Sequence, residues 1–147
     1  MLAMREHLPE PGFYLFPGIG GANRSPEQME VWNEKYRKGP IGVLVYHPTG
    51  RAPMAPRFLL TELATNVLAA LVVSLLLAMA ASAMPAFGMR VLAVAMVGLV
   101  PGLDVDVSYW NWYGFPASYT AAALTDHVIG WSLAGLALAA IHKSKPA

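Results

Sequence analysis

The 147-residue chain contains no cysteine. Disulfides, thiolate metal sites, iron–sulfur clusters and cysteine nucleophiles are excluded together, while the redox compartment stays open. Charge is scarce too: 13% of residues are Asp, Glu, Lys or Arg, against about 25% in soluble domains. A net charge of +1 leaves no basic face able to neutralise phosphates, so nucleic acid is not an expected partner. The N-terminus, Met1 to Pro9, lacks the apolar core of a secretory signal. There is no nucleophile elbow, no His-Glu-x-x-His and no catalytic carboxylate pair in a recognisable context. No catalytic residue is therefore expected.

What the chain has is apolar length. Hydrophobic residues make up 56% of it, and they concentrate in three stretches, Phe58–Met84, Phe87–Val107 and Tyr119–Ile141. A bilayer core about 30 Å thick needs roughly 20 predominantly apolar helical residues to cross. The first and third stretches exceed that length and the second just reaches it. The expected fold class is mainly α and integral to a membrane, with three transmembrane helices in residues 58–147 behind a small extramembrane unit in residues 1–57.

That unit reads as strand–helix–strand. Gly12 to Phe16 is a short aromatic strand bounded by Pro and Gly. Ser25-Pro-Glu-Gln28 starts a helix, with Ser25 as cap, Pro26 at the first helical position and Gln28 where a capping box places its reciprocal side chain. Met29, Trp32 and Tyr36 share one face, and Gly39-Pro40 ends the helix. Ile41 to Tyr46 is the second strand, and a proline-bearing linker, Pro48 to Pro56, follows. So small a unit cannot hold a core by itself; it is expected to rest on the membrane helices or on another protein. The glycine-rich Gly18 to Ser25 is not a dinucleotide fingerprint, because Asn23 replaces its third glycine.

Charge sets an expected topology. Arg90 is the charge between the first two helices, and Lys143 and Lys145 follow the third, whereas Asp104, Asp106 and the aromatic run Tyr109-Trp-Asn-Trp-Tyr113 separate the second from the third. Basic residues favour the cytoplasmic side and Trp and Tyr favour the interface. The Arg90 turn and the C-terminus are thus expected inside, with the aromatic run and residues 1–57 outside. Arg51 and Arg57 oppose that placement. Either a further hydrophobic helix precedes Met1, or the N-terminal unit is exported unaided. Pro9-Glu-Pro-Gly-Phe-Tyr-Leu-Phe-Pro17, Gly39-Pro40, Tyr109-Trp-Asn-Trp-Tyr-Gly-Phe-Pro116 and Val128-Ile-Gly-Trp131 resemble a group of small uncharacterised bacterial inner-membrane proteins. The resemblance covers most of the chain. It implies a bacterial cytoplasmic membrane and an additional N-terminal helix, and it implies no chemistry.

Ionisable groups at membrane depth are functional candidates by default. Glu62, Asn66, Asp104, Asp106, Asp126 and His127 are expected to converge at one level from three helices. The cluster reads as a polar network joining helices, as a cation or proton site, or in part as a Glu62 that snorkels to the interface. Which metal, if any, it would hold stays open. Ala122, Gly130 and Ala134 share a face with Asp126, and small residues at that spacing predict a helix contact, within this chain or with another. Tyr109, Trp110, Trp112 and Tyr113 read as an interfacial belt on which a carbohydrate or quinone could also stack. A lone His127 is a thin basis for haem or pigment, so no cofactor is expected. Three functions follow in order: an accessory or structural subunit of a larger membrane complex, a small ion- or proton-handling transport protein, and a redox or enzyme subunit. The expected partners are the lipid bilayer and other membrane subunits.

Overall fold

The computed structural model describes residues 2–18, 20–21 and 23–143, and the chain divides into two compact units, Met1–Ala52 and Pro53–Ala147. The first unit begins with a short helix that the sequence reading lacked, α1 (Leu2–His7), closed where Leu8 N–H donates to the Met4 carbonyl just before Pro9. Strands β1 (Gly12–Phe16) and β2 (Gly42–Tyr46) pair antiparallel, with Phe13 opposite Val45 and Phe16 opposite Gly42. The tip of the Phe16 ring lies over Gly42, where a Cβ would meet it at 2.6 Å and push the ring aside. Between the strands lies α2 (Pro26–Lys38).

The start of α2 is the capping box the sequence encodes. Ser25 N–H donates to Gln28 Oε1 (3.0 Å) and Gln28 N–H donates to Ser25 Oγ (3.3 Å), satisfying two backbone donors a bare helix end would leave open. Gly39 ends the helix at φ 67°, a conformation glycine adopts without steric cost. Trp32 ties the helix back to the loop after β1 by donating Nε1–H to the Pro17 carbonyl (3.1 Å). Tyr46 is the one buried residue among those described in this unit. The sheet meanwhile exposes Leu15 (45%) and Val45 (68%) on one face.

Among the described residues of the second unit, three helices are long and apolar enough to cross a membrane, Pro56–Ala83, Phe87–Tyr113 and Ala117–Ile141, the architecture of a multi-pass membrane protein. The first is α3 (Pro56–Ala80) with a closing 3-10 turn, Ala81–Ala83. The second comprises α4 (Phe87–Pro101), a π turn over Gly102–Asp106 and α5 (Val107–Tyr113). The third is α6 (Ala117–Ile141). The aromatic run expected as a loop is therefore helical. Pro101 lacks the N–H that would bond the Val97 carbonyl, and beyond it the chain stays helical through a wider turn in which Val107 N–H reaches the Gly102 carbonyl. The helix stops only at Gly114, at φ 71°.

Helices α4 and α6 form the tightest pair, held at glycines on both sides. A Cβ on Gly98 would fall inside Trp131, and one on Gly102 would stand 2.8 Å from Leu124 and 3.0 Å from His127. From α6, Gly135 meets the backbone of Val91, where a Cβ would lie 3.0 Å from the carbonyl oxygen. Such close approach lets dispersion and backbone contacts act where lipid removes any hydrophobic drive. Helix α3 joins through its second half only. Val73 and Leu77 pack with Val94, and the Ser74 hydroxyl hydrogen-bonds His142 Nε2 at 2.7 Å. Residues 59–68 are exposed throughout.

Replacing Gly98 with Ala forces the Trp131 side chain to move at its root and should lower stability by about 1–3 kcal/mol. Gly88→Ala, where the added methyl meets open space, should be neutral or slightly stabilising; thermal unfolding in detergent compares the two. In the first unit, the Ser25 side chain, with a smaller contribution from Glu27's own backbone N–H, holds the exposed Glu27 carboxyl below its ordinary value of 4.5. Because the folded value is the lower one, this contribution is present above the unfolded pKa and lost as pH falls through the folded pKa. In Ser25→Ala the Glu27 midpoint, followed by NMR titration of the full chain, should move up.

Candidate functional site

The π turn carries the polar site. The wider i→i+5 turn shifts the helix face, so Asp106 is buried toward α6 while Val105 stays exposed. Asp106 is 9% exposed, and His127 Nε2 stands 3.1 Å from its Oδ2. The imidazole reaches the carboxylate because Gly102, one turn earlier, has no side chain to block it. On the same α6 stripe Thr120 is buried, and its Oγ1 has no partner among the described residues. At 1.5 Å per residue His127 lies about 15 Å along α6 from Ala117, well inside the apolar span. A histidine–carboxylate pair at that depth can bridge two helices or pass a proton between its members.

The other expected members do not join it. Glu62 is exposed and accepts from Asn66 Nδ2 at 3.4 Å, on the part of α3 that touches neither neighbour. Asp104 and Asp126 are exposed on the outer sides of their helices. The expected six-residue convergence reduces to one pair, because α3 approaches the others only from Ala69 onward. Among the described residues no three His, Asp or Glu side chains gather to hold a metal ion.

The small-residue face also lies elsewhere than its intrachain contact. Ala122 and Gly130 are exposed, nothing lies within 4 Å of a Cβ built on Gly130, and Ala134 is half-buried. The stripe one step around, Leu124, His127, Trp131 and Gly135, meets α4 instead. The physical reason is the Gly98-x-x-x-Gly102 spacing on α4, a small-xxx-small motif that accepts bulky Trp131 and His127 rather than another flat surface. That signal stands in the sequence and went unused. The belt residues Trp110 (49% exposed) and Trp112 (72% exposed) point outward, while Tyr109 stacks with Tyr113 and Phe115 at ring separations of 5.7 and 5.2 Å, tying the end of α5 to the start of α6.

No protein-family model, curated protein or solved structure matches this chain.

Replacing Asp106 with Leu leaves a part-buried imidazole without its partner and should cost about 1–3 kcal/mol. Asp104→Asn, at an exposed position, should stay within about 0.5 kcal/mol. Thermal unfolding of both variants in one detergent makes the comparison, and equal losses would remove the pair as a structural link.

Proposed function

We propose that this chain is a non-catalytic accessory subunit of a larger membrane assembly, and that its partner packs on the outer face of α6. Exposed Asp126 carries this reading. It lies about 14 Å along α6 from Ala117, with no ion pair or hydrogen bond to another side chain among the described residues. An Asp at the centre of a membrane helix costs about 2.5–3.5 kcal/mol on insertion scales, a penalty another polypeptide relieves and lipid does not. Ala122 and Gly130 flank it one turn to either side, so a partner helix can approach closely. Exposed Glu62 with Asn66 on α3 supports the same reading. Most of the apolar helix surface is open as well: only 11%, 22% and 11% of the residues in the three most apolar stretches are buried. The proposed setting is a bacterial cytoplasmic membrane, with the Arg90 turn and Lys143 inside and the aromatic corner outside.

A second reading has its own observation. The Asp106–His127 pair beside a π turn fits a proton- or cation-handling protein, since such turns gather at functional sites.

Purification in gentle detergent, with mass spectrometry and an absorption spectrum, tests the first reading. A stoichiometric foreign subunit is expected. Gly130→Leu meets open space within the chain, so it should leave the helices folded and release that subunit. A colourless homo-oligomer would overturn the accessory reading. Under the second reading Asp106→Asn abolishes proton flux in liposomes with the fold intact, whereas Asp126→Asn changes assembly and leaves flux alone.

A further inference from the structure

Between α3 and α4 runs an apolar cleft of about 270 Å³ that the partner face on α6 does not include. Its walls are Val73, Leu77 and Ala80 on α3 and Ala93, Val94 and Val97 on α4, with Met84 at one end. The spacing places each set on one helix stripe. Arg90 precedes Ala93, Val94 and Val97 by three, four and seven residues, so it continues the α4 stripe to the Met84 end of the cleft.

Arg90 is 4% exposed. Its Nη1 donates to the carbonyls of Met84 (2.8 Å) and Pro85 (2.9 Å), but its buried Nε–H has no acceptor among the described residues. No carboxylate pairs with it: the ion pairs among the described residues are Lys38–Glu34 and His127–Asp106. The guanidinium also sits in the first turn of α4, whose free N–H groups add positive potential. A buried cation with an unused donor, no paired carboxylate among the described residues and its Nη1 on the carbonyl of Met84, which ends an apolar cleft, suits an anion that carries a hydrocarbon chain.

We infer that this cleft binds an anionic phospholipid, one acyl chain lying against Val73, Leu77, Val94 and Val97 and the headgroup phosphate meeting Arg90. The walls are almost wholly apolar, which suits an acyl chain, and Arg90 near the Met84 end supplies the charge that suits its headgroup. Basic pockets between membrane helices select anionic headgroups in this way.

Native mass spectrometry of the full chain in mild detergent, titrated with dioleoylphosphatidylglycerol or dioleoylphosphatidylcholine, tests the inference. Phosphatidylglycerol should bind about tenfold more tightly, and Arg90→Gln should bring it to the phosphatidylcholine level. Ala93→Phe fills the cleft while leaving Arg90 in place; it should weaken both lipids about tenfold. Equal affinity for the two lipids in the parent chain would overturn the inference. So would unchanged phosphatidylglycerol binding in Ala93→Phe, which decides the matter even if Arg90→Gln does not fold. Displacement of the lipid by millimolar inorganic phosphate would also overturn it, reducing the site to an anion pocket.

Discussion

Everything in the helical unit depends on the closeness of α4 and α6. Gly98, Gly102 and Gly135 remove the side chains that would hold the helices apart, and Trp131 fills the space on one side. In lipid, where apolar surfaces gain nothing by leaving solvent, close packing supplies the attraction. The same approach brings His127 to Asp106. The polar pair is thus a consequence of the glycines, and its geometry rests on their having no Cβ.

The π turn is the second consequence of a local constraint. Pro101 would break a regular helix in water, yet at membrane depth unsatisfied backbone groups are costly. The wider turn that follows keeps Val107 N–H bonded to the Gly102 carbonyl, and the helix runs on to Tyr113. It also chooses which acidic residue turns inward. Asp106 meets α6, and Asp104, two residues earlier, does not.

The remaining charges divide by neighbour. Arg90 is buried under the carbonyls of its own turn, while Asp126 and Glu62 lie on surfaces the chain leaves uncovered. On the two proposals made above, lipid phosphate would complete the first and a neighbouring polypeptide the others.

The local elements were legible in the sequence. The capping box at Ser25 and Gln28, the stop at Gly39, both strands and the three apolar spans follow from interactions between residues a few positions apart, which any fold must respect. Part of the site was legible as well, since Asp106 and His127 stood among the candidates and the Gly98-x-x-x-Gly102 spacing marks a contact face. Three matters were decided only by tertiary structure. These are the separation of Glu62 and Asp126 from the pair, the burial of Arg90, and the use of the Trp131 stripe rather than the Ala122–Gly130 stripe as the intrachain contact. The first depends on how far α3 diverges, the second on how the Met84–Pro85 turn folds over the start of α4, and the third on how α4 and α6 meet; such angles are set by packing that no local pattern encodes.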